Sequence, residues 1–154
     1  LGYSMLAEDG VVYITEIEEK LKERYALLAN DDIAVLENAK LLVLVLDNLD
    51  AVTAICNDRN SLEAYKNITG RYKNLNVCII VSCVENAPIP YSSPEILKDI
   101  RDRHQMLYFD DMANMKVYDL PLMITRKFKK AIETGDGYYI KDNECIKLKT
   151  PLGS

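Results

Sequence analysis

Leu41-Leu42-Val43-Leu44-Val45-Leu46 is apolar at every position, does not alternate, and stops at Asp47-Asn48. A membrane span needs about 20 such residues, so this run is too short to cross a bilayer. It has the length of a strand. A strand with no polar side to turn toward water reads as buried on both faces, as in a parallel sheet between helices. Val77-Cys78-Ile79-Ile80-Val81, ending at Ser82, repeats the pattern.

Helical tracts surround these strands. Thr15 can cap a helix, with Glu18 completing a capping box. Ile17, Leu21, Tyr25 and Leu28 then recur on one face to about Ala29, and Asn30-Asp31-Asp32 breaks the pattern. Asn60 and Glu63 signal a second start, followed by Leu62, Tyr65, Ile68, Tyr72 and Leu75 at helical spacing. Gly70 inside that tract costs about 1 kcal/mol relative to alanine. Ser93 before Pro94 predicts a third start, with Ile96, Leu97 and Ile100 as the apolar face. Gln105 to Phe109 is a candidate third strand. Tyr138–Ile140 and Cys145–Leu148 flank turn-type residues and predict a hairpin. Helix alternating with buried strand is the pattern of an α/β domain with a parallel sheet and right-handed crossovers.

The 154 residues suit a single domain, taken as residues 1–150, with Pro151-Leu152-Gly153-Ser154 set aside as a tail. With 24 acidic and 19 basic side chains the net charge is −5, which argues against gripping phosphate backbones over a broad surface. No basic, apolar prefix of an exported precursor is visible, so a cytosolic-type domain, or a soluble piece of something larger, is expected. Cys56, Cys78, Cys83 and Cys145 are spaced irregularly and His104 is the single histidine, so the thiols are expected to be buried and reduced rather than to hold zinc.

In a parallel sheet, chemistry gathers beyond the carboxyl ends of the strands. Asp47 follows the first strand as a magnesium-holding aspartate does in P-loop ATPases, but a strand-ending, turn-capping aspartate has the same pattern. Asn48 follows it, and an amide cannot act as a general base. None of the six glycines precedes Lys-Ser or Lys-Thr, so the chain contains no phosphate loop. His104 reads as a helix-end cation or packing residue, and Arg126-Lys127-Phe128-Lys129-Lys130 as a solvated surface.

In order and spacing, from about Val12 to Pro151, these segments resemble the FtsK/SpoIIIE class of ATPases. They are most similar to the terminal ATPase domains of type VII secretion coupling proteins. Ile17 to Leu28, around Tyr25, resembles the family helix E-x-x-x-R-Y-x-x-L, and Leu42 to Asp50 its Walker-B strand. Val77 to Ser82 is similar to the sensor strand. Ile100-Arg101-Asp102-Arg103 resembles I-x-x-R, and Gly135 to Ile140 the terminal G-x-G and hairpin.

The resemblance implies a three-layer, mostly parallel sheet of RecA-like P-loop type, lacking the phosphate-loop portion, which would precede Leu1, and ending in a β-hairpin. Asp47, Asn48, Ser82 and Arg103 become degenerate nucleotide-site positions, while Glu85 stands where the family tends to have arginine. The implied role is a pseudo-ATPase with no catalytic residue, metal or cofactor of its own, ATP and magnesium serving the parent's other domains. Its partners would be secreted proteins and neighbouring ATPase domains, within an oligomeric motor anchored on the cytoplasmic side of a bacterial membrane. Neither nucleic acid nor direct membrane contact is expected. The alternative is a half-site acting in trans, offering Arg103 or Arg101 to a partner's nucleotide.

A protein partner would meet the carboxyl edge of the sheet at Glu85 and the proline-rich loop. There Pro88, Pro90 and Pro94 limit the freedom of Ile89 and Tyr91. The competing expectation is that Ile89 and Tyr91 pack inward.

Overall fold

The computed structural model describes residues 7–28, 37–84, 93–117, 120–128, 132–142 and 144–150. The chain divides into two compact units, Leu1–Val84 and Glu85–Ser154. Together they make a mixed α/β protein with a two-stranded parallel sheet and a separate three-stranded antiparallel sheet. Among the described residues, no helix is long and apolar enough to cross a membrane.

The first unit contains α1 (Ala7–Leu28), β1 (Leu42–Leu46), α2 (Leu49–Asn57), α3 (Arg59–Thr69) and β2 (Val77–Val81). Helix α1 starts well before the expected Thr15 cap. The Thr15 hydroxyl instead donates back along the helix to the carbonyls of Val12 (2.7 Å) and Val11 (3.3 Å), a bond open to threonine in a helix interior. The buried stripe of α1 is Ile14, Ile17 and Leu21, while Tyr25 is 40% exposed. Tyr25 meets Tyr72 edge-on at 5.6 Å, with the Arg71 guanidinium 4.5 Å above its ring. α1 packs on α2 and α3, joining Val52, Ile55, Ala64, Tyr65 and Ile68 in the buried set.

Helix α2 was not anticipated. Asp58 separates it from α3, closing α2 with its backbone N–H and opening α3 by accepting from Ser61 N (2.8 Å) and Ser61 Oγ (2.7 Å). Those bonds hold the Asp58 carboxyl below the ordinary carboxylate range. Gly70 ends α3 rather than lying inside it, and Tyr72 and Leu75 are buried from the turn that follows.

β1 and β2 pair in parallel, Leu42 to Val77 through Leu46 to Val81. The expectation of burial on both faces fails. Leu44 and Leu46 are buried, but Val43 and Val45 are 47% and 55% exposed, as is Ile80 at 47%. Cys78 and Cys83 are likewise exposed rather than buried. Among the described residues, the side of the sheet carrying Leu44 and Leu46 is covered, and the side carrying Val43, Val45, Cys78 and Ile80 is exposed.

The second unit contains α4 (Glu95–Arg103), β3 (Gln105–Tyr108), a 3-10 turn (Met112–Asn114), α5 (Leu122–Lys127), β4 (Asp136–Lys141) and β5 (Glu144–Lys149). Pro94 is the residue before α4 rather than its first residue. The β4–β5 hairpin is present as expected, closed through Lys141 opposite Glu144. β3 does not extend a parallel sheet. It lies antiparallel to β4, Gln105 opposite Lys141 and Tyr108 opposite Tyr138. Its exposed Leu107 and buried Tyr108 show the one-wet-face alternation that suits antiparallel pairing. The core here is Tyr108, Met112, Tyr138 and Ile140, flanked by Met106, Met115, Leu120, Phe128, Ile132 and Cys145. Phe128 packs edge-on against Tyr138 at 5.4 Å.

Candidate functional site

At the carboxyl ends of β1 and β2 the parallel register runs one rung beyond the last strand pair. Ser82 N donates to Leu46 O at 2.9 Å, and Ser82 Oγ donates to Asp47 Oδ1. Two of the four candidate positions, 35 residues apart in the chain, therefore touch. Asn48 lies beside them and is already engaged. With extended backbone (φ −178°), it caps α2 by accepting the Ala51 N–H at 2.8 Å. The cap role considered for Asp47 thus falls to its neighbour, and Asp47 is tied across the sheet.

The opposite ends of the strands are held by Arg24 of α1. Its guanidinium donates to Leu75 O (2.8 Å), Asn76 O (3.3 Å) and Lys40 O (2.8 Å), bridging the entries to both strands. The strand pair is thus clamped at its amino end by a cation and at its carboxyl end by the Asp47–Ser82 rung.

Arg103 belongs to the second unit, in the last turn of α4. Its Nε donates to Asp99 Oδ2 at 3.0 Å, an i,i+4 pair within one helix, and its side chain is half exposed. Arg101 Nε pairs with Asp102 at 2.9 Å. His104 closes α4 in the left-handed region (φ 48°), and its carbonyl accepts the Asp142 N–H of the hairpin turn at 2.7 Å. Glu85, Ile89 and Tyr91 lie outside the described residues.

Asp136 escaped the sequence reading. This buried carboxylate in β4 accepts from Lys147 Nζ (2.7 Å), Lys149 Nζ (3.1 Å) and Glu133 N (3.1 Å). Those donors, Lys147 foremost, hold its carboxyl well below the usual carboxylate range, and Asp136 raises both lysines in return. Its signal was present: an aspartate opening one hairpin strand and Lys-x-Lys closing the other meet in register on one face, Asp136 opposite Lys149. The cluster anchors the hairpin, since every ionic group in it faces an opposite charge.

Chemically, the Asp47–Ser82 rung is a carboxylate holding a hydroxyl, with no imidazole in the first unit to relay a proton. Among the described residues no group of three or more His, Cys, Asp or Glu side chains is placed to hold a metal ion. Fold and site together define a mixed α/β protein with a polar rung closing a short parallel strand pair. No family model matches the chain, and neither a curated protein nor a solved structure matches it significantly.

Proposed function

We propose that the chain is a degenerate ATPase domain of a bacterial type VII secretion motor of the FtsK/SpoIIIE class, acting as a docking and regulatory module. On this reading the β1–β2 pair is the remnant of a RecA-like sheet, and the parent motor is membrane-anchored with the domain on its cytoplasmic side. Secreted proteins and neighbouring ATPase domains are its partners.

The observation that carries the reading is the strand-end rung. Asp47 and Ser82, at the Walker-B and sensor positions of the resemblance, are in register and satisfy each other, while the Asn48 amide caps α2. A nucleotide site needs its acidic and sensor groups turned toward phosphate and metal, and a loop of backbone N–H groups to cradle them. Here the side chains are turned toward one another. The half-site alternative draws less support, since Arg103 is engaged by Asp99 of its own helix.

Titration calorimetry with magnesium-ATP tests the proposal. The expected result is no saturable binding at micromolar nucleotide, and saturable binding there rejects it. Asn48→Glu is expected to leave turnover absent, because phosphate cradling is the larger deficit.

A further inference from the structure

Positive charge in this acidic chain is gathered at α5 and the residues that follow it. From Leu120 to Ile132 there is no acidic residue, while Arg126, Lys127, Lys129 and Lys130 are basic. The stretch carries +4 in a chain of net −5, so the remaining residues sum to −9. Arg126 and Lys127 are exposed, and the described ion pairs of the second unit use Arg101, Arg103, Lys147 and Lys149 instead.

The first turn of the same helix is apolar and turned outward. Leu122 is 71% exposed and Met123 is 84% exposed. Residues four apart share a helix face, so Leu122 stands in a row with Arg126, and Met123 in a row with Lys127. Ile124 and Thr125, between these rows in the chain, are half-buried. The outward side of α5 is therefore apolar at its amino end and cationic at its carboxyl end, where cations also suit the helix dipole.

We infer that α5 contacts an anionic lipid surface. Leu122 and Met123 dip into the boundary between headgroups and acyl chains, while Arg126 and Lys127, with Lys129 and Lys130 next in the chain, meet the anionic headgroups. The long stems of Arg126 and Lys127 let their charges stay at headgroup level. With six residues, about 9 Å of helix, α5 lies on the membrane rather than crossing it.

A bilayer suits this patch better than other polyanions do. Nucleic acid would use the cations but offers Leu122 and Met123 no apolar interior. Base stacking would need a free aromatic ring, whereas the Phe128 ring packs edge-on against Tyr138. An acidic protein surface would need a matching shape, and a fluid bilayer takes up apolar and charged groups without one. The inference uses neither Asp47 nor Ser82 and needs no motor. It replaces the expectation of no direct membrane contact.

Flotation of the full chain with phosphatidylcholine vesicles containing about 30% phosphatidylglycerol tests it. Binding is expected at about 1 mM lipid or less, absent with phosphatidylcholine alone and abolished in about 1 M salt, where the Debye length is about 3 Å. Arg126→Gln is expected to weaken binding about fivefold, the worth of one cation at such a surface. Leu122→Ser with Met123→Ser, both on the surface, is expected to weaken it about tenfold. Nitroxide-labelled lipid, read by NMR on the wild-type chain, needs no variant and is expected to broaden Leu122 and Met123 most strongly. No binding to the phosphatidylglycerol vesicles overturns the inference, and so does strongest broadening outside α5. Equal binding by the folded Leu122/Met123 variant also overturns it, reducing the contact to charge alone. Binding of a DNA duplex that Arg126→Gln weakens, without vesicle binding, assigns the patch to nucleic acid and overturns it as well.

Discussion

Ser82 donates its hydroxyl hydrogen to the carboxylate of Asp47, one residue beyond the last register pair, Leu46 with Val81, at the carboxyl ends of two parallel strands. The bond extends the ladder by one side-chain rung beyond the last backbone pair. On the proposed reading it also occupies the two groups that an ATPase would turn toward nucleotide.

Because the rung is at the surface, its worth is at the modest end for a charge-assisted bond. Asp47→Ala and Ser82→Ala are each expected to lower stability slightly. The double mutant should lose less than the sum, with a coupling of about 1 kcal/mol. Urea midpoints of the four proteins measure it. If the proposed function holds, Asp47→Ala in the assembled motor is expected to leave ATP turnover intact, and a collapse of turnover in the folded variant would favour the half-site alternative.

Asn48→Ala removes the side-chain acceptor of the Ala51 N–H and is expected to cost about 1 kcal/mol. Asn48→Asp, also a good cap, should retain most of that stability. Thermal melting of the pair distinguishes a capping role from one that needs the amide itself, in which both variants would fall together.

Arg24 reaches three carbonyls with one planar guanidinium, a geometry lysine cannot reproduce. Arg24→Lys is therefore expected to lose most of what Arg24→Ala loses, about 2 kcal/mol. Amide exchange at Leu42, which donates to Asn76 O at 2.9 Å, should accelerate in both.

The Asp136 cluster sets an acid limb. Its folded carboxyl lies below its ordinary value of 3.8, so the stability it contributes is fully present above that value and is lost as pH falls below it. Lys147 and Lys149 are raised above 10.5, so their share is complete below that pH and fades as pH rises through their folded values. Stability at the hairpin should therefore decline below about pH 4, and Asp136→Asn should flatten that decline while lowering the plateau. Denaturant midpoints followed by NMR at Tyr138 and Ile146, between about pH 2 and 7, would show it. An unchanged acid limb in the variant would assign the decline to other carboxylates.

A Cβ on Gly137 would lie 2.6 Å and 2.8 Å from two atoms of the Phe109 ring and 3.2 Å from Tyr108 O. The Phe109 ring is 56% exposed but must shift, and the Tyr108 carbonyl is backbone that must give as well, so Gly137→Ala is expected to cost about 1–3 kcal/mol. Adding Phe109→Ala should recover part of that loss, as melting temperatures of the single and double variants would report.

The local sequence determined the strand runs at Leu42–Leu46 and Val77–Val81 and the hairpin, because apolar runs and turn residues act over a few neighbours. It also placed Asp47 and Ser82 at strand ends. The helix beginning at Ala7 was hidden because Thr15 satisfies a cap pattern and an internal back-bond equally well. Helix α2 was hidden because Asn48 reads as an amide at a general-base position rather than as a cap, and Asp58, which closes it, formed no part of that reading. What only tertiary structure decided was pairing and coverage. Nothing within Gln105–Tyr108 says that its partner is a hairpin strand some 30 residues later, antiparallel, rather than β2. Nothing within Val43 or Val45 says that one face of β1 meets α1 while the other meets water. Side-chain apolarity fixes the gain on burial, but which surfaces are near enough to realise it is a property of the folded chain.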